Sequence, residues 1–212
     1  MNLKEVLHQN KVNQLVEIFQ NQPWSNKEYY SNWLAQSHYY TSYSTRMLAT
    51  AAGWSSPAED KSYYRRSLKH ISEEQGHDLI AINDLKALGI NDLSTLPQLA
   101  TTRALWEPQF YKILKEPTAL LGYILALEIL AVRAFKEFHH EIAKTYPANS
   151  LNFIKVHADD DPDHVESALE QIQNCQASEK INIEINFDQT LHMYSLMLDQ
   201  IRITTTTQAI RK

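Results

Sequence analysis

From Thr118 to Val132 the chain runs through Leu120, Leu121, Ile124, Leu125, Leu127, Ile129 and Leu130 with a single charged residue, Glu128. A helix that is apolar nearly all round has to be buried, so the rest of the chain must wrap around it. Helices are the natural wrapping: only 4 Gly and 7 Pro interrupt 212 residues, of which 43% are hydrophobic. The apolar residues also recur at helical spacing. The length suits one sizeable core. The expectation is an all-α fold, a single domain over residues 1–212, in a bundle of about six to seven helices.

Prolines and glycines mark the joints. A first helix is predicted from about Asn2 to Gln20, ended by Pro23, and a second from Asn26 to Ala52, ended by Gly53. Ser56-Pro57-Ala58-Glu59-Asp60 reads as a helix start, with Ser as N-cap, Pro at N1 and acids in the first turn. That third helix should reach Leu88, with Gly89 as its C-terminal cap. Asn91 to Pro108 reads as a connection with a short helix. Pro117 opens a helix to about Thr145, and Ser150 can cap another to about Gln173, bent by Pro162. Gln176 to Lys180 reads as loop, and a last helix covers Phe187 to Thr205, fraying in the Thr204–Thr207 run. Ile181 to Ile185 alternates like a strand, but a lone strand has nothing to pair with.

The formal charge is −5 and no basic block exists, which argues against a nucleic acid or an anionic membrane as partner. No uncharged apolar run of about 18 residues is present, so no transmembrane helix is expected. The N-terminal residues are too polar for a secretory signal. Cys175 is the only cysteine, which excludes an internal disulfide and fits a reducing, cytoplasmic setting.

Three predicted helices bring metal-ligand side chains to an inward face. His70, Glu74 and His77 fall within roughly 60° on a helical wheel. Glu74 and His77 form Glu-x-x-His, a pairing that lets one carboxylate and one imidazole reach a common ion. Glu128, alone in its apolar helix, is costly as a bare carboxylate unless a cation or an arginine such as Arg103 or Arg133 meets it. His157, Asp161 and His164 stand at i, i+4 and i+7, one stripe again, with Asp160 as an alternative carboxylate. The imidazole-plus-carboxylate set of Glu74, His77, Glu128, His157, Asp161 and His164 favours iron, manganese or zinc over calcium or magnesium. Two divalent ions against three carboxylates leave a slight positive charge, suited to an anionic substrate group.

These motifs resemble those of the haem-oxygenase-like iron-containing redox enzymes. HISEEQGHDLIAINDLKALG is similar to their Glu-Glu-x-Gly-His segment. PTALLGYILALE is similar to their Leu-Gly-Tyr…Glu helix, and FIKVHADDDPDHV to their His-x-x-x-Asp-x-x-His helix. The resemblance covers Tyr63 to Glu170. It implies the helical fold shared by haem oxygenase and thiaminase-like proteins. It also implies metal roles for His77, Glu128, His157, Asp161 and His164, with His70, Glu73 or Glu74 filling the first-helix position. It further implies oxidase chemistry at iron, with two Fe(II)/Fe(III) ions that are incompletely loaded if the first carboxylate is weak. The expected function is an O2-dependent non-haem iron oxidoreductase, acting on a small amino- or carboxylate-bearing substrate. The expected partners are that substrate and O2, with a homodimer as an option. The alternatives are a haem-binding protein of the same fold with His8 or His38 as axial ligand, a cofactor-free thiaminase-like protein using Cys175, and a non-enzymatic helical protein. Tyr39, Tyr40, Tyr43, His139 and His140 are assigned to packing and solvated surface.

Overall fold

The computed structural model describes residue 5 and residues 10–56 and 61–210, without the side chains of 160 and 208–210. The start of the first expected helix, the Pro57–Asp60 helix start and His8 lie outside these residues. Among the described residues every regular element is helical. The α-helices are α1 (Asn10–Gln20), α2 (Lys27–Thr41), α3 (Ser44–Trp54), α4 (Lys61–Glu74), α5 (His77–Ala87), α6 (Ala100–Lys115), α7 (Leu120–Ile142), α8 (Asn152–Gln173) and α9 (Ala177–Ile210). Short 3-10 turns occupy Leu93–Thr95, Pro117–Ala119 and Ala148–Ser150.

The apolar helix α7 sits in the centre, packed against α8, α9 and α1. By length and composition it could cross a membrane, yet 83% of its apolar window is buried among the protein's own helices. Its close approach to α9 depends on Gly122, where a Cβ would meet the Ile183 carbonyl oxygen at 2.1 Å and the Phe187 nitrogen at 2.8 Å. Phe19, Trp24, Trp33, Phe135, Phe138 and Phe153 form a buried aromatic cluster that ties α1, α2, α7 and α8 together.

Several expected boundaries move, each for a physical reason. The long second helix divides at Ser42-Tyr43. Thr41 and Ser42 hydroxyls donate to the Ser37 and Tyr39 carbonyls at 2.8 and 3.0 Å, which competes with the helical ladder. Tyr43 stacks on Trp106 with ring centroids 3.6 Å apart. Helix α3 then runs through Gly53 to Trp54. The third helix divides at Gly76, whose φ of +92° is left-handed, a conformation glycine adopts without steric cost. Gly89 does end α5: its N–H donates to Lys86 and that of Ile90 to Leu85, both at 2.9 Å, the paired bonds of a Schellman cap.

The expected connection before Pro108 is largely helical, because α6 begins at Ala100 and passes through Pro108. Its start is supplied from α2: the Gln36 side-chain oxygen accepts from the Leu99 N–H at 2.9 Å and the Thr102 hydroxyl at 2.7 Å. Ser150 does not cap α8. Instead Asp84 on α5 accepts from the Phe153 N–H at 2.8 Å and the Asn152 amide at 2.9 Å. The expected loop and strand-like run after Gln176 belong to α9. Ile181 and Ile185 face solvent, while Ile183, Phe187, Leu191, Tyr194, Leu198 and Ile201 are buried, a helical stripe. The threonine run stays helical, each hydroxyl from Thr204 to Thr207 donating to the carbonyl four residues earlier at 2.8–2.9 Å.

Candidate metal centre

Three elements converge beside α7. The last turn of α4 contributes His70 and Glu74, the first residue of α5 is His77, α7 contributes Glu128, and α8 contributes His157, Asp161 and His164. The break at Gly76 separates Glu74 from His77, so their pairing comes from a turn between helices and not from one helical face. Glu74 Oε1 nevertheless lies 3.7 Å from His77 Nδ1.

The donors form two triads, each with ligand atoms within 4.8 Å of one another: Glu74, His77 and His157, and His70, Glu128 and His164. In the second, Glu128 Oε1 lies 3.4 Å from His70 Nε2 and 3.7 Å from His164 Nδ1. Asp161 Oδ1 joins it, 3.6 Å from His164 Nδ1. Glu74 Oε1 is also 3.6 Å from His70 Nε2, which puts this carboxylate on the seam between the triads. The His70 and His164 ring centroids are 4.7 Å apart and those of His77 and His157 5.1 Å. All six side chains singled out by spacing are thus neighbours, together with His70. Glu73 stands at the rim, paired with Lys69 at 3.0 Å and 3.5 Å from His164 Nε2. The Asp160 side chain lies outside the described ones.

Two donors held about 2.1 Å from one ion lie about 3.0 Å apart at right angles and about 4.2 Å apart when opposed. The separations of 3.4–3.7 Å fall in that interval. Both Glu128 oxygens are buried without a hydrogen-bond partner, a costly state for a carboxylate unless a cation faces it. Of the arginines considered for that role, Arg103 pairs with Glu107 and Arg133 donates to Asn13; the Arg66 charge acts on Glu128 but is outweighed by burial. His157 Nδ1 donates to the Phe153 carbonyl at 2.7 Å. That bond fixes the tautomer and leaves Nε2 as the ring's lone-pair donor. The residues present therefore fit a first-row metal.

Burial, followed by the Asp161 charge, pushes the Glu128 carboxyl well above its usual range. Burial lowers His70 and His157, so both imidazoles are neutral, the form that binds metal. For Glu74, burial opposes the charge, but the contacts with His70, His157 and His77 outweigh it and hold the group at about 2.

One side of the cluster opens on a cavity walled by Met47, Leu48, Leu120, Ile124, Leu127, Leu130, Phe135 and Phe153, with Tyr40, Tyr123 and Tyr194 among the polar lining. The Tyr123 hydroxyl is buried without a partner. Of the tyrosines assigned to packing, Tyr40 lines this cavity, whereas Tyr39 donates to the Leu96 carbonyl and Tyr43 stacks on Trp106. The spacing argument missed Asp84, Tyr123 and Tyr194, and a lone Asp or Tyr in a helix carries no local signal of such a role. His38 faces the Asp78 carbonyl, and Cys175 is buried and donates to the Gln171 carbonyl.

Comparison with known proteins bears on the fold and the family. No curated protein matches the chain. Among the solved structures that share its fold are the following two. One is a domain of unknown function with a haem-oxygenase-like fold from Shewanella denitrificans, with TM-score 0.84 and 19% identity, covering 97% of this chain and 94% of that one. The other is a TenA homologue from Pseudomonas syringae pv. tomato, with TM-score 0.72 and 15% identity, covering 93% of this chain and 86% of that one. At such identities the likeness establishes the all-α, haem-oxygenase-like fold alone. The family model for iron-containing redox enzymes matches residues 31–195, more than three quarters of the chain and every candidate ligand, and the chain belongs to that family.

Proposed function

We propose that the protein is an O2-dependent non-haem oxidoreductase whose centre takes two iron ions and acts on a small substrate bearing a carboxylate or amine. The observation that carries this reading is the pair of adjoining donor triads joined at Glu74. Glu128, His164 and Asp161 would hold one ion, and Glu74, His77 and His157 the other. Reduced iron supplies the electrons that dioxygen chemistry requires.

The chain's own residues do the rest. Met47, Leu48, Ile124, Leu127 and Phe135 keep water from the cluster's open side. The Tyr123 hydroxyl offers a hydrogen bond to a polar substrate atom. Three carboxylates against two divalent ions leave a positive balance, which would draw an anionic substrate group to the centre. Among the described residues no lysine or arginine lines the cavity, so that group would find its positive partner at the metal. A reducing, cytoplasmic compartment would suit such a site.

The test is anaerobic Fe(II) titration followed by O2 exposure. Two irons per chain and O2 consumption are expected. Glu128→Ala or His164→Ala should abolish that consumption while leaving the helical circular dichroism intact, since stability resides mainly in the apolar helix faces. Full activity in the double variant would sink the reading. A Soret band in the purified protein would point to haem instead.

A further inference from the structure

His70 is 4% exposed, and its role is not fixed by the set of six ligands. Its Nε2 lies 3.4 Å from Glu128 Oε1 and 3.6 Å from Glu74 Oε1. A histidine placed to orient these carboxylates by hydrogen bonding should approach to about 2.7–3.2 Å. The 3.4 Å separation from Glu128 is instead that of two ligands around one ion, between about 3.0 and 4.2 Å. The other ring nitrogen, Nδ1, is buried with no hydrogen-bond partner. No hydrogen bond at Nδ1 therefore holds the ring, while Nε2 faces the Glu128 and Glu74 carboxylates. The His164 ring stands 4.7 Å away, and its Nδ1 lies 3.7 Å from the same Glu128 oxygen.

We propose that His70 is a fourth imidazole ligand of this protein's centre, sharing an ion with Glu128 and His164. The inference rests on the metal-centre reading and extends it. One turn of α4 then serves both ions, because His70 and Glu74 stand four residues apart and Glu74 belongs to the other triad, with His77 and His157. The centre is asymmetric, with two imidazoles on each ion and the Asp161 and Glu128 carboxylates on the His70 side.

Cobalt(II) is the probe, because it reports on its ligands without turnover. In the cobalt-loaded wild-type protein, proton NMR should show four solvent-exchangeable, hyperfine-shifted imidazole N–H signals. Three signals would overturn the proposal. In His70→Gln and His70→Ala, one signal should vanish. Cobalt titration should then show one site unchanged and the other weakened by about a hundredfold or more, beyond the usual loss for an outer-shell partner. Added imidazole should restore the second site in His70→Ala. Two unchanged sites in both variants would overturn the role of His70 while leaving the metal centre standing. A wild-type protein that takes up no cobalt would overturn both. If neither variant folds, the wild-type signal count decides alone.

Discussion

Glu128 shows how much one residue can constrain a site. It sits on the central helix, 6% exposed, and neither oxygen has a hydrogen bond. Without a cation, burial and the neighbouring Asp161 favour its protonated form, while His70 and His157 stay neutral because burial disfavours their charge. These shifts make the metal-free protein pH-sensitive. As pH falls through the ordinary imidazole range, the unfolded chain protonates both imidazoles more readily than the folded chain does. Over the same range the folded chain keeps the Glu128 proton that the unfolded chain has released. Two imidazoles taking up protons against one carboxyl releasing its own give a net proton uptake on unfolding. Stability should therefore fall as pH drops through this window. Below it, Glu74, held at about 2, adds a further loss in the same direction. Urea melts of chelator-treated protein at pH 7 and 5 check the sign, and equal midpoints would contradict it.

At the scale of elements, α8 carries three candidate ligands but lacks a side-chain cap of its own. Its first turn is held by Asp84 from α5, so α5 fixes the ligand helix from outside. Asp84→Ala would strand the buried Phe153 N–H and should cost about 1–3 kcal/mol. Metal affinity should weaken with it, since the α8 ligands lose their anchor. A chemical melt and a cobalt titration of the variant measure the two effects. Helices α7 and α9 meet where Gly122 faces the α9 backbone. Backbone cannot move aside as a flexible side chain can, so Gly122→Ala must push the helices apart. The expected cost is about 1–3 kcal/mol, typical of overpacking. An unchanged thermal midpoint in that variant would show that the helices separate freely.

At the scale of the whole molecule, the centre gathers ligands from α4, α5, α7 and α8, so an ion would staple four segments that otherwise meet mainly through apolar contacts. A ligand that binds only the folded state stabilises it by mass action. At a hundredfold excess over the dissociation constant, one site contributes about 2.7 kcal/mol. For a chain of this length that corresponds to a rise of roughly 5–10 °C. A thermal melt with and without Fe(II) under anaerobic conditions, reversed by a chelator, measures it. No shift at saturating metal would mean that the cluster does not bind the ion in the native state.

The sequence by itself determined the helical class, the buried central helix and the side chains to examine at the site. Periodicity reports which face of a segment is buried, and a charge inside an apolar helix reports that something must compensate it. The stripe of His157, Asp161 and His164 was legible because all three residues share one helix. The positions of the breaks at Ser42 and Gly76, the helical path through Pro108 and the true start of α9 were decided by tertiary structure. At three of these a partner distant in sequence outweighs local preference: Trp106 against Tyr43, Gln36 at the start of α6, and the core that buries Ile183 while leaving Ile181 and Ile185 to solvent; the Gly76 break rests on a left-handed glycine. The place of His70 among the donors was also decided there, because its distance to Glu128 depends on how α4 packs beside α7, and no spacing within either helix encodes that contact.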